Sequence, residues 1–141
     1  MADLIATLNT KDIDIIFGAH IISGFGDNKV QISRETDAFD DEVGCDGEVT
    51  RYATNDKRGT ITVYLLQSSK SNLFLSTQVK IDEATGAGVL PCVVKNNSGN
   101  DLYVAAQAWA RKVPDITYLR GVATIEWKIR TSNLQSFIGG S

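Results

Sequence analysis

The sequence predicts a mostly β protein, a small barrel or sandwich with one flanking helix. Three observations carry that expectation. Apolar and polar residues alternate with period two in several stretches, the mark of strands with one buried face. Turn-forming clusters separate those stretches. One segment, at about residues 69–84, lacks the alternation and sits between serines and glycines. At 141 residues, 43% hydrophobic and 22% charged, the chain suits a single domain spanning 1–141 with an ordinary core.

The clearest strand runs from Gly121 to Arg130, with Ala123, Ile125, Trp127 and Ile129 on one face. Thr124, Glu126, Lys128 and Arg130 fall on the other, a separation that a helix would not produce. Arg58 to Gln67 repeats it, with Ile61, Val63 and Leu65 opposite Thr60, Thr62 and Tyr64. Asp12 to Ile22 reads as one early strand, with Ile13, Ile15, Phe17, Ala19 and Ile21 on one side. Lys29 to Glu35, with Val30 and Ile32 inward, and Gly47 to Thr54 are two more. Val89 to Lys95 precedes an Asn97-Ser98-Gly99-Asn100 turn, and Pro91 places that strand at an edge or a bulge.

Asp101 to Lys112 is alanine-rich, but its alternation favours a strand with Leu102, Val104, Ala106, Ala108 and Ala110 together. Tyr103, Gln107, Trp109 and Arg111 share the opposite parity. The helix has candidate N-caps at Ser68, Ser69 and Ser71 and stop signals at Gly86 and Gly88. The count is roughly seven strands and one helix.

Composition and motifs exclude several functions. A net charge of −3 argues against a protein built to grip nucleic acid phosphates. No Gly-x-Ser-x-Gly, HExxH, P-loop or GxGxxG occurs, and the one histidine, His20, lies among isoleucines, where a structural role is expected. The chain is therefore read as no enzyme, with no cofactor and no metal. Residues 37–48 hold six carboxylates, yet not in EF-hand spacing. That stretch is expected as a long acidic loop, at about 36–48, that is solvated or meets a basic partner surface. Cys45 and Cys92 have no CxxC spacing and read as two separate thiols, although spacing alone leaves a disulfide open. Met1 to Leu4 shows no basic and apolar leader pattern, and no apolar run is long enough to span a bilayer. Synthesis in a cytoplasm is the expectation. Only Pro91 and Pro114 interrupt strand-prone sequence, so unprotected sheet edges hint at self-assembly.

Three stretches occur in order: Gly47-Glu48-Val49-Thr50-Arg51, then Ala53 to Val63 with its Asn55-Asp56-Lys57-Arg58-Gly59-Thr60 turn, then Leu65 to Asn72. Together they resemble the tail tube proteins of contractile-tailed bacteriophages. Asp12 to Glu35 also fits that family's opening strands, so the resemblance spans about residues 10–135.

The resemblance implies the tube fold shared with type VI secretion and pyocin tubes. It implies hexameric rings whose strands join into one barrel, stacked into a conduit inside a sheath. DNA would pass through without sequence-specific binding. Implied partners are further copies of the chain and the tail sheath, baseplate and terminator proteins. The implied location is the virion tail, assembled in the host cytoplasm. Asp37 to Gly47 matches the family's bridging loop, which makes Asp37, Phe39, Asp40, Asp41, Glu42 and Asp46 inter-subunit candidates. Thr60, Thr62, Thr124 and Glu126 are candidates for the shared barrel strands. Lys128 and Arg130 share their parity, so that face lines either the channel or the outer surface. An alternative is a monomeric β module that binds a small ligand or glycan on Tyr103 and Trp109.

Overall fold

The structure, a computed structural model, describes residues 9–97 and 99–139. A short 3-10 turn, Thr10–Asp12, leads into the first strands, β1 (Ile13–Phe17), β2 (His20–Ile21) and β3 (Phe25–Arg34). Then come β4 (Phe39–Val43), β5 (Val49–Ala53) and β6 (Gly59–Leu66), followed by the helix α1 (Ser71–Thr85). After the helix come β7 (Leu90–Asn96), β8 (Leu102–Ala110), β9 (Thr124–Thr131) and β10 (Leu134–Phe137). The expected fold class, mostly β with one flanking helix, is the one observed.

The two strongest alternations form the centre. β6 and β9 pair antiparallel over their whole length, from Gly59↔Thr131 to Leu66↔Thr124. Ile61, Val63 and Leu65 thereby meet Ile125, Trp127 and Ile129 in the core. The main sheet runs β2-β1-β7-β8-β9-β6-β3, and β10 follows β9 along the same side of β8. The sheet curls, because Ile13 of β1 and Val30 and Ile32 of β3 line one cavity of about 230 Å³ with Val94 and Tyr103. Its two ends thus face each other as a partly open barrel.

The helix lies on the flank. Its Leu75 and Val79 are buried, while Leu73 and Ile81 remain exposed. Phe74 meets Phe17 edge-on at 6.2 Å. The indole N–H of buried Trp127 donates to Asn72 Oδ1 at 2.9 Å, which ties the helix to β9. None of the serine candidates takes the N-cap position, which falls on Lys70; Ser69, one residue earlier, accepts the Ser71 N–H on its Oγ at 3.2 Å. Gly86, with φ of 72°, ends the helix as its N–H bonds the Asp82 carbonyl.

Four sequence expectations are corrected. There are ten strands among the described residues, not seven, because short pieces read as loops also pair. Asp12 to Ile22 is not one strand. Gly18, with φ of +64°, opens a two-residue turn, and β2 folds back with Ile16 opposite Ile21. The turn resets the alternation, so Ile22 is buried and Ile21 is exposed.

β8 carries a bulge. Leu90 pairs with Ala108 and Cys92 with Ala105, so one extra residue enters β8 opposite Pro91. Pro91 lies opposite the bulge, and its own carbonyl is turned toward β1, where it accepts the Gly18 N–H at 2.7 Å. The bulge reverses parity. Ala105, Ala108 and Ala110 all point inward, and Tyr103 packs on the core. Trp109, paired with Arg130, lies on the opposite face from Tyr103. Finally, the acidic stretch expected as a loop supplies half of a β-hairpin. Ser98 of the expected turn and Met1 to Leu4 lie outside the described residues.

Candidate assembly surface

β4 and β5 form a two-stranded sheet of their own, in register from Phe39↔Ala53 to Val43↔Val49. Every residue of both strands is exposed. The tip closes with the Gly44 N–H on the Glu48 carbonyl at 2.8 Å and Gly47 at φ of 85°. The base is anchored to the body. Thr54 Oγ1 donates to the Asp37 carbonyl, and the Arg34 guanidinium and Thr36 hydroxyl both donate to the Asp56 carbonyl. Asp56 in turn takes two side-chain bonds from Arg58, which hold its carboxyl well below the usual range. The structure therefore fixes the root of this arm and leaves its length bare.

Alternation divides the arm into two chemistries. Phe39, Asp41, Val43, Val49, Arg51 and Ala53 share one face, with the Arg51 guanidinium 4.4 Å over the Phe39 ring. Asp40, Glu42, Thr50 and Tyr52 form the other. There the Tyr52 hydroxyl donates to Asp40 at 3.3 Å, and the Asp40 charge pushes the Tyr52 pKa upward. Phe39, Val43 and Val49 are exposed by 52%, 68% and 63%. An isolated two-stranded hairpin is marginally stable in water, so such a surface is suited to a partner.

The arm gathers the predicted loop residues, with Asp37 at its base and Asp46 at its tip. It also separates two of them, since Asp40 and Asp41 point to opposite faces. Thr60, Thr62, Thr124 and Glu126 lie together on the polar face of β6 and β9. Thr62 is nearly covered there, flanked across the strands by Gln31 and Lys128. Nearby, Arg130 pairs with Glu35 at 2.8 Å and the Thr60 hydroxyl donates to the same carboxylate. No exposed large hydrophobic residue occurs on β6 or β9.

Sequence reasoning gave no role to the segment from Val113 to Arg120 beyond Pro114 as a breaker, and took Gly121 to Ala123 as strand, whereas β9 begins at Thr124. The whole stretch before β9 exposes Val113, Ile116, Tyr118, Leu119 and Val122 beside Arg111 and Lys112. The signal available was charge partition. Residues 37–54 hold six acidic side chains and one basic, whereas residues 102–139 hold five basic and two acidic.

His20 bonds Ser71 through Nε2 at 3.0 Å and stacks on Phe74 at 4.3 Å. Ser71 is 1% exposed and its Oγ also accepts the Ser23 N–H. The pair pins β2 to the start of the helix, and the serine oxygen is closed to a substrate. Both cysteines are free: Cys45 is exposed near the arm tip, while burial pushes the Cys92 thiol up to about 12. Among the described residues no group of three His, Cys, Asp or Glu side chains is placed to hold a metal ion. Among them, too, no helix is long and apolar enough to cross a membrane.

A curled sheet with one flanking helix and a bare two-faced arm fits a structural, tube-like protein, and the comparisons with known proteins show that class. The chain belongs to the Bacteriophage PhiTE tail tube protein family, whose profile matches residues 6–139. It is 32% identical over 126 residues to "Structural protein ORF10" of Pseudomonas phage KPP10, a match covering 87% of this chain and 73% of that protein. Among solved structures it resembles the anti-feeding prophage cap, a tube-terminating cap, with a TM-score of 0.61. That match has 7% identity and covers 97% of this chain and 95% of the other. It also resembles the sheath/tube terminator of the PVC extracellular contractile injection system, with a TM-score of 0.58 and 11% identity. There the match covers 96% of this chain and 100% of the other. At such identities the likeness is one of fold.

Proposed function

We propose that the chain is the repeating subunit of a phage tail tube, with six copies per ring and rings stacked into a conduit for DNA. The bare β4–β5 arm carries this reading. It is anchored at its root, exposed on both faces and apolar on one, as an element completed by a neighbouring copy would be. Further support comes from family membership and from the place of β3 at the end of the main sheet among the described residues, with β6 as its strand partner. In this reading Asp37, Phe39, Asp40, Asp41, Glu42 and Asp46 serve contacts between copies. Thr60, Thr62, Thr124 and Glu126 belong to the shared wall, and DNA passes without sequence-specific contact. The tube sits inside a contractile sheath in the virion tail, is assembled in the host cytoplasm, and meets sheath, baseplate and terminator proteins. The role is structural, without catalysis or cofactor.

The rival reading, a ligand platform of Tyr103 and Trp109, loses its basis because the β8 bulge puts the two on opposite faces. Negative-stain microscopy over a concentration series tests the proposal. Stacked hollow rings with six-fold symmetry are expected. A strict monomer at high concentration, also with sheath or baseplate proteins present, would overturn it. Single rings that never stack would instead assign a terminator position, the role named for both structural neighbours.

A further inference from the structure

Among the described residues the arm has no strand partner outside itself, while the body offers a groove with basic side chains and an exposed apolar loop beside it. We propose that the groove between Arg111, Lys112 and Lys128 receives the β4–β5 arm of a second copy. This rests on the reading of the arm as an assembly element and names its partner surface.

Position argues for a second copy. The arm springs from the Gly59 end of β6, where Arg34 pairs with Gly59. The groove follows Thr124, Glu126 and Lys128, which pair with Leu66, Tyr64 and Thr62 toward the other end. Thr124, opposite Leu66, is roughly 20 Å from the arm's root at the rise of a strand, and Lys128, opposite Thr62, is about 10 Å from it. An arm that leaves one end of the strand and a groove that runs from mid-strand to the other can make a head-to-tail contact, the kind that generates rings and stacks.

Shape and charge agree. β8 stops at Ala110, and its ladder ends with the Arg111 N–H on the Lys128 carbonyl at 3.0 Å. From there back to Thr124, β9 has β6 as strand partner on one side and the 112–115 loop on the other. The resulting groove, about 510 Å³, lies open beside an extended strand. The arm carries a net −5 of a chain total of −3, which leaves +2 on the rest. That positive charge is concentrated in residues 102–139, at +3. The acidic face with Asp40 and Glu42 finds Arg111, Lys112 and Lys128 in the groove, beside Asp115 and Glu126, a lining of net +1. The apolar face with Phe39, Val43 and Val49 has a counterpart in the exposed Ile116, Tyr118 and Val122 of the adjoining loop.

Charge reversal in two chains tests this. One chain carries Asp40→Lys and Glu42→Lys, the other Lys112→Glu and Lys128→Glu, all at exposed positions. Circular dichroism establishes that each folds. Each alone should need roughly tenfold more protein to assemble, the effect of about two exposed ion pairs lost and turned repulsive. Mixed one to one, they should assemble near the wild-type concentration, because each reversed arm then meets a reversed groove. The neutral pair Lys112→Gln and Lys128→Gln should flatten the salt dependence of assembly, which covers a groove reversal that fails to fold. An arm reversal without effect would defeat the assembly role of the arm itself. An arm reversal that blocks assembly, with a groove reversal that does nothing or no rescue on mixing, would overturn the groove as receptor. Wild-type assembly of the groove variant with lost affinity for duplex DNA would assign the groove to nucleic acid and equally overturn it.

Discussion

Among the contacts that attach the helix to the barrel, the side-chain pair Trp127 and Asn72 should contribute measurably. Trp127 is 2% exposed and its indole N–H has Asn72 Oδ1 as acceptor at 2.9 Å. The same asparagine donates from Nδ2 to the carbonyl of Leu66 at 3.0 Å and, more weakly, of Gln67 at 3.4 Å. Asn72→Ala therefore removes an acceptor from a buried donor and a donor from two carbonyls at the β6–α1 junction. With about 1 kcal/mol per net bond, and more for a buried group left unpaired, the loss should be about 2–3 kcal/mol. For a chain of this size that lowers the melting temperature by roughly 8 °C. Trp127→Phe loses the same bond and leaves a void beside the core, for about 2 kcal/mol. The double variant should fall short of the sum by about 1 kcal/mol, since the shared bond is lost only once. Urea denaturation followed by circular dichroism, below the concentration at which copies associate, gives all three energies. Additive energies, or an Asn72→Ala loss under about 0.5 kcal/mol, would refute the argument that this pair helps to hold the helix.

Two further predictions follow from close packing and burial. A Cβ at Gly59 would lie 2.5 Å from Leu134 Cδ2, 2.9 Å from Leu134 Cβ and 3.0 Å from the Ser33 carbonyl oxygen. Gly59→Ala should thus destabilise by about 1–3 kcal/mol through overpacking, measured by denaturant midpoint; an unchanged midpoint would show that β10 moves aside freely. Thiol labelling at pH 8 should modify one cysteine per native monomer, Cys45, and two after denaturation, because buried Cys92 stays protonated up to about 12. Rapid native labelling of both would contradict the burial of β7.

Much of the architecture was legible in the sequence, and the reason is local. Alternation in 58–67 and 121–130 identified β6 and β9 and their buried faces, since side-chain direction in an uninterrupted strand follows from period two alone. The helix and its glycine stop were legible for the same kind of reason. Errors arose wherever the phase of the alternation was reset. At Gly18 a two-residue turn folded one apparent strand into a hairpin. In β8 the extra residue lies where the register against β7 shifts, between Leu90 and Cys92, which no reading of residues 101–112 by themselves can supply.

The functional surface divides in the same way. From the sequence alone came the acidic stretch with Asp37 to Asp46, the polar parity of Thr60, Thr62, Thr124 and Glu126, and the resemblance to tube proteins. The tertiary structure decided that the acidic stretch is a strand of a projecting arm, with Asp40 and Asp41 on opposite faces. It also decided that the groove with Arg111, Lys112 and Lys128 runs from the middle of β6 toward the end away from the arm's root. Local periodicity sets which way a side chain points within one strand. Which strands meet, and which stay unpaired, depends on contacts between residues far apart in the chain, and that is where an assembly surface is made.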